Sequence, residues 1–142
     1  MGLSFAAALL ILLLGLFPRD VLDDRNNFIR YNSFNQVIAA EHINEAEQLI
    51  INIDKRSTRR RTYPVLELRF IFEEHTYVLP LHGFRRDDPE AAIKHMLHLK
   101  SFFRPGEYEI TNADRIEWLL WDEDFNARET ELVYELFDYT DE

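Results

Sequence analysis

The sequence contains no cysteine, and only four of its 142 residues are glycine. Without cysteine the protein can have no disulfide framework, no zinc site built on thiolates and no cysteine nucleophile. The four glycines do not occur at the spacing of a loop that cradles the phosphate groups of a nucleotide. We therefore expect no bound cofactor.

Motifs for catalysis and for metal binding are also missing. None of the serines occurs in the context of a nucleophile elbow, and the paired acidic residues fall at predicted turns or helix starts, where turn formation and the helix dipole account for them. His95 and His98 lie three residues apart on a predicted helix, but no His-Glu-x-x-His pattern accompanies them. The sequence therefore predicts neither an enzyme nor a metal site.

Negative charge is abundant but unevenly distributed. The chain has a net charge of −10, which argues against a general nucleic-acid-binding protein. Residues 107–142 contain 13 acidic and two basic residues, whereas residues 1–106 contain 13 acidic and 14 basic residues. We therefore expect a nearly neutral body, residues 18–106, followed by an acidic C-terminal extension, residues 107–142.

One long hydrophobic run is present, from Leu3 to Phe17, and it carries no charge. A helix of residues 1–17 would be about 25 Å long, close to the lower limit for crossing the hydrocarbon core of a bilayer, which is ~30 Å thick. Pro18 ends it, because the residue before a proline is disfavoured in helical geometry. The sequence favours a transmembrane helix over residues 1–17.

Three arginines follow this run, Arg19, Arg25 and Arg30, and no basic side chain precedes it. The positive-inside rule then predicts a single-pass protein of the cell membrane with residues 18–142 in the cytoplasm. A cleaved signal peptide fits less well, because the run lacks a basic n-region and a small-residue cleavage site. A buried helix of a soluble protein and the last span of a longer membrane protein are further alternatives.

Two alternating runs predict a β-hairpin in the body. In residues 63–72 the apolar side chains share one face, and Glu67 and Arg69 lie on the other. A short polar turn separates this run from residues 75–81, a second β-rich run. Pro80 has no amide donor, so the second strand is predicted to be an edge strand or to end early.

A helix is predicted after the hairpin. Pro89 is suited to the first helical turn, apolar residues recur at helical spacing up to Phe103, and a Pro-Gly pair ends the pattern. Residues 28–34 and 49–53 also have the character of strands, although Ser33 and Gln36 could instead cap a helix through Val37, Ile38 and Ala40. The body is therefore predicted to be an antiparallel sheet closed by an amphipathic helix, an α+β fold.

The order of these features resembles that of uncharacterised bacterial membrane proteins. FPRDVLDD follows the hydrophobic run, and after it come FIRYNSF, a strand ending in YVLPLHGF and the helical IKHMLHLKSFF. Residues 1–104 thereby resemble Firmicutes-type membrane proteins with a cytoplasmic pleckstrin-homology-like (PH-like) domain. The resemblance implies a small sheet with a closing helix after the membrane segment, although such proteins often have several hydrophobic segments where this chain has one. It implies no functional residue.

A cluster of five basic residues lies within seven positions between two predicted strands. The five are Lys55, Arg56, Arg59, Arg60 and Arg61. Near the cytoplasmic leaflet they would attract anionic lipid headgroups, and arginine is suited to bidentate contact with phosphate. We predict lipid or phosphate binding here. The alternatives are a solvated tip that prevents wrong strand pairing, or a contact with the acidic extension or a partner protein.

The acidic extension is predicted to contain an amphipathic helix. Asn126 and Glu129 have the spacing of a capping box. The apolar stripe that follows consists of Leu132, Val133, Leu136 and Phe137. Such a stripe either packs on the body of the chain or binds in the groove of a partner protein.

Together these features predict a membrane-anchored, non-catalytic binding protein. Its cytoplasmic domain is expected to contact anionic lipid headgroups or a partner protein, and no nucleic acid. Two alternatives are an adaptor that binds its partner through the C-terminal helix and a secreted domain released by signal cleavage.

Overall fold

The computed structural model describes residues 19–84 and 87–139. They form an α+β structure, which confirms the predicted fold class. The chain divides into two compact units, residues 1–45 and residues 46–142. The predicted transmembrane helix over residues 1–17 lies outside the described residues. Among the helices that are described, none is long and apolar enough to cross a membrane.

The first unit contains a three-stranded antiparallel sheet with its strands in sequence order. The strands are β1 (Arg19–Leu22), β2 (Asn27–Tyr31) and β3 (Val37–His42). Asp23 stabilises the turn between β1 and β2, because its carboxylate accepts hydrogen bonds from the backbone amides of Arg25 and Asn27, both at 2.9 Å. The bond from the Asn27 amide is the main reason that the pKa of Asp23 lies below its usual value.

The second unit contains a four-stranded sheet in the order β6-β5-β4-β7. Its strands are β4 (Gln48–Ser57), β5 (Thr62–Ile71), β6 (Thr76–Pro80) and β7 (Tyr108–Thr111). The antiparallel hairpin of β5 and β6 confirms the prediction, and Pro80 is the last residue of an edge strand. We expected a wholly antiparallel sheet, but β7 pairs in parallel with β4. A parallel pair requires a crossover, which the chain between β6 and β7 provides.

Three α-helices occur among the described residues, all in the second unit. They are α1 (Pro89–Lys100), α2 (Ile116–Glu123) and α3 (Ala127–Leu136). Helix α1 confirms the prediction, with Pro89 in its first turn and the carboxylate of Asp88 accepting a hydrogen bond from the Ala91 amide at 3.1 Å. The predicted capping box of α3, between Asn126 and Glu129, is also present.

The alternating apolar residues of β4 and β5 form the buried face of the sheet. Their buried side chains are Leu49, Ile51, Ile53, Leu66, Leu68 and Phe70. Helix α2 packs on β5, and helix α3 packs on α1. Burial of each of these apolar side chains of β4 and β5 contributes about 1.5–3 kcal/mol to the free energy of folding. Residues 107–142, expected as an extension beyond a body of residues 18–106, supply β7, α2 and α3 to the second unit.

Candidate functional site

The structure brings the five predicted basic residues together at the end of the β4–β5 hairpin. Lys55 and Arg56 lie near the end of β4, and the other three belong to the turn of residues 58–61. The Thr58 amide donates to the carbonyl oxygen of Arg61 at 2.8 Å and closes this turn. All five residues are exposed. We call this group, Lys55, Arg56, Arg59, Arg60 and Arg61, the basic tip.

Two of the five basic side chains are engaged with acidic groups of the second unit. The guanidinium of Arg56 lies 3.4 Å from a carboxylate oxygen of Asp54 and 3.8 Å from one of Glu67. Arg61 reaches Asp122 of helix α2 with an Nη1–Oδ1 distance of 2.6 Å. Arg56 and Arg61 therefore fix the tip to the rest of the unit.

The other three basic side chains carry the charge that is free at the tip. Lys55, Arg59 and Arg60 form no side-chain hydrogen bond or ion pair with any residue that the structure describes. Their cationic groups are therefore accessible to an anion from solution.

A buried polar group supports the base of the basic tip. Glu67 of β5 is fully buried, on the face of the sheet opposite the apolar core. Its Oε1 accepts hydrogen bonds from Nδ2 of Asn52 and from the guanidinium of Arg69, both at 2.9 Å. A buried carboxylate is costly unless it is paired, and these donors satisfy Oε1 only. Oε2 accepts no hydrogen bond from the described residues, and the guanidinium of Arg56 lies 3.8 Å from it.

Beside this buried group is an open polar cleft of about 420 Å³. Oδ1 of Asn52 accepts hydrogen bonds from the side chains of Thr111 and Asn112, both at 2.7 Å, so the cleft is closed on one side by β7 and the residue after it. Its basic lining residues are Lys55, Arg69 and Arg115. Nη1 of Arg115 also donates to the carbonyl oxygen of Ile53 at 2.9 Å.

Sequence reasoning missed Asn52, Glu67, Arg69 and Arg115 as parts of this site. Alternation placed Glu67 and Arg69 on the face opposite the apolar residues, but it gave no sign that Glu67 is buried there. Asn52 and Glu67 are direct neighbours across β4 and β5, and this can be recognised only when the register of the two strands is known. The parallel pairing of β7 with β4 brings Arg115 to the cleft, and no local sequence pattern indicates that pairing.

The predicted partner-binding stripe of α3 lies inside the second unit. All four of its side chains are buried, namely Leu132, Val133, Leu136 and Phe137. Helix α3 packs against α1, so in this structure the stripe is covered by the chain itself. A partner could bind the stripe only after α3 had separated from α1.

Lys100 fastens the end of α3 to α1. Its ammonium group donates to the carbonyl oxygens of Glu135 and Leu136, at 3.2 and 3.0 Å, and to the carboxylate of Asp138 at 2.7 Å. Tyr108 of β7 donates to the same carboxylate at 2.5 Å. A cation at the carboxyl end of a helix also interacts favourably with the helix dipole.

The same contacts shift two pKa values. Burial by itself would raise the pKa of Asp138, but the hydrogen bonds from Lys100 and Tyr108 and the charge of Lys100 bring it below its usual value. The hydrogen bond to Asp138 raises the pKa of Tyr108, and burial adds to this. These contacts hold the stripe of α3 in place.

Metal ligands are not grouped in the described part of the chain. Within residues 19–84 and 87–139, no three His, Asp or Glu side chains are placed to hold a metal ion. His82 contacts Glu123 at 3.0 Å, and this is a single pair.

Comparison with models of known protein families, with curated proteins and with solved structures finds no match. The resemblance to membrane proteins with a PH-like domain therefore stays a prediction. The candidate site has to be argued from its own geometry, which consists of the basic tip and the polar cleft beside it.

Proposed function

We propose that this chain is a membrane-anchored, non-catalytic binding protein whose cytoplasmic part contacts anionic lipid headgroups through the basic tip. Residues 1–17 would attach the chain to the membrane. One observation carries the proposal: three exposed basic side chains, Lys55, Arg59 and Arg60, have no acidic partner among the described residues, although the chain as a whole is strongly acidic.

The division of the basic tip into paired and free residues sets the strength of the contact. A basic residue close to an anionic leaflet contributes about 1 kcal/mol. The three free side chains would contribute about 3 kcal/mol, which is less than the five basic residues suggest and corresponds to roughly 100-fold in affinity. Arg56 and Arg61 instead hold the tip in shape.

An aromatic residue beside the basic tip helps to distinguish lipid from nucleic acid. Single-stranded nucleic acid is bound by stacking its bases on exposed aromatic faces between basic residues. Tyr63 follows the tip, but its ring face is already covered by the guanidinium of Arg61, 5.2 Å from the ring centroid. A planar base would have to displace Arg61, whereas a lipid phosphate needs only the charge.

Vesicle flotation of residues 18–142 tests the proposal. The variant Lys55→Ser/Arg59→Ser/Arg60→Ser should bind vesicles rich in phosphatidylserine about 100-fold more weakly than the parent at low salt, because all three free charges are removed. The matched control is Lys94→Ser/Arg104→Ser/Arg128→Ser, which makes the same change in net charge at exposed positions elsewhere in the second unit. It should bind like the parent.

Two results would contradict headgroup binding by the basic tip. In the first, the tip variant and the control variant lose affinity equally, so that only net charge matters. In the second, the parent itself does not float with anionic vesicles.

A second candidate function is partner binding through the acidic C-terminal segment. Trp121 of α2 is 80% exposed, whereas tryptophan is usually largely buried in a folded protein unless it contacts a partner. A protein partner, rather than an anionic membrane, suits the acidic residues that surround it in sequence. Trp121→Ala should then abolish recovery of that partner, while leaving vesicle binding unchanged. A secreted domain is the third candidate, and mass spectrometry of the mature N-terminus tests it.

A further inference from the structure

The hairpin of β2 and β3 has an exposed apolar tip. Phe34, Val37 and Ile38 are 56%, 57% and 54% exposed. Val37 and Ile38 are neighbours on one strand, so their side chains lie on opposite faces of the sheet. The exposure of both means that the start of β3 is uncovered on its two faces.

The β2–β3 turn at this end of the first unit also carries no charge of its own. Residues 31–40, which we call the uncharged tip, contain no Asp, Glu, Lys or Arg, although 30% of the chain is charged. The turn at the other end of the same sheet contains Asp23, Asp24 and Arg25. The β2–β3 turn could therefore approach hydrocarbon at a lower cost than the β1–β2 turn.

The uncharged tip lies at the end of the sheet where the hydrophobic run joins it. Arg19, the first residue of β1, is paired with Tyr31, and Tyr31 is paired in turn with Val37. With strands about 4.8 Å apart, Val37 lies roughly 10 Å from Arg19. The tip is also tied to this position directly, because Nη2 of Arg19 donates to Oδ1 of Asn35 at 3.1 Å.

The chemistry of these residues matches a membrane interface. The guanidinium of Arg19 lies over the ring of Tyr31, 5.1 Å from its centroid. Tyrosine and arginine are both suited to the headgroup region, where the apolar part of each side chain is buried and the polar end stays in water. Phe34, Val37 and Ile38 would lie deeper.

We propose that the uncharged tip inserts Phe34, Val37 and Ile38 into the surface of the bilayer that residues 1–17 enter. This inference rests on the membrane attachment in the proposed function, and it does not depend on the basic tip. The two residues from Phe17 to Arg19 span at most about 7 Å, and the polar interface on each side of a bilayer is about 5–8 Å thick. A chain that leaves the hydrocarbon at Phe17 therefore brings the uncharged tip to the interface.

The absence of cysteine allows a clean test on the full chain. An environment-sensitive fluorophore is attached to Ser33→Cys in the uncharged tip or, as the matched control, to Asp24→Cys at the opposite end of the same sheet; both positions are exposed. The proteins are reconstituted into phosphatidylcholine vesicles with and without nitroxide-labelled lipid. We expect blue-shifted, strongly quenched emission at position 33, and water-like, weakly quenched emission at position 24.

A further variant separates apolar insertion from mere proximity to the membrane. Phe34→Ser/Val37→Ser/Ile38→Ser in the Ser33→Cys background should shift the emission at position 33 to that of position 24, and the exposure of the three side chains means that the fold tolerates the change. Unchanged emission in this variant would overturn the inference, as would equal emission at positions 33 and 24 in the parent.

The outcomes also separate this inference from the proposed function. Neutral lipid removes any contribution of the basic tip, so failure of headgroup binding cannot affect the result. If the full chain resists alkaline extraction but position 33 stays water-like, the anchor holds and the inference is wrong. If the full chain does not remain with the vesicles, both the anchor and the inference fail.

Discussion

Two hairpin tips, one in each unit, have opposite chemistry and are stabilised in opposite ways. The basic tip of β4–β5 is held by acidic groups outside its turn, namely Glu67 of the same hairpin and Asp122 of α2. The uncharged tip of β2–β3 depends mainly on its own turn, in which Oδ1 of Asn32 accepts hydrogen bonds from the amides of Phe34 and Gln36, at 2.9 and 3.0 Å. Two of the five like charges at the basic tip are therefore held by acidic groups outside the turn, whereas the tip without charge is stabilised by its own turn.

The largest effect on the free energy of unfolding is expected for Glu67, the buried carboxylate that supports the basic tip. Glu67→Ala should lower the free energy of unfolding by about 2–4 kcal/mol, because Asn52 and Arg69 lose their acceptor and a cavity remains. Urea denaturation followed by tryptophan fluorescence measures this change. Glu67→Gln, which keeps an acceptor and the shape, should lose less.

The control for this experiment is Glu74→Ala in the exposed turn after β5. It removes the same charge and should change stability by no more than about 0.5 kcal/mol. If Glu67→Ala is as mild as this control, the basic tip does not depend on a buried acidic group, and the contrast between the two tips disappears.

A smaller effect is expected at the uncharged tip. Asn32→Ala removes both acceptor contacts of the turn and should cost about 1 kcal/mol, which corresponds to about fivefold faster hydrogen exchange at the Gln36 amide. Exchange measured by NMR isolates this turn from the second unit. Ser33→Ala is the neighbouring control. Loss of protection throughout β4 and β5 after Asn32→Ala would show that the turn is not locally stabilised.

The smallest effect concerns the paired arginine of the basic tip. Arg61→Ser should lower the free energy of unfolding by about 0.5–1 kcal/mol, since an exposed arginine loses its ion pair with Asp122. Arg60→Ser, one residue earlier and unpaired among the described residues, should be neutral. Equal effects in thermal or urea unfolding would contradict the division of the tip into paired and free residues.

The parts of the fold that depend on local signals could be predicted from the sequence. Helix α1 follows from Pro89 and apolar spacing, and the cap of α3 follows from Asn126 and Glu129, because each signal acts within a few residues. The β5–β6 hairpin follows from two alternating runs and a short turn. These elements require no knowledge of the rest of the chain.

The remaining features depend on contacts between distant parts of the chain. The parallel pairing of β4 with β7 joins Leu49 to Tyr108, and no local pattern specifies such a register. The five basic residues could be recognised because they lie within seven positions, but their division into paired and free residues could not. It depends on Asp122, which lies 61 positions after Arg61.

The parallel pairing of β4 with β7 affects how the chain folds while it is being synthesised. Strand β4 can pair with β5 soon after both leave the ribosome, but Leu49 must wait for Tyr108, which is 59 positions later in the chain. At about 5–20 residues per second this takes roughly 3–12 s. During that time one side of an apolar strand is unpaired, and an unpaired strand edge is a site for association with other chains. A pause in synthesis before Tyr108 would therefore prolong the interval in which nascent chains can aggregate through β4.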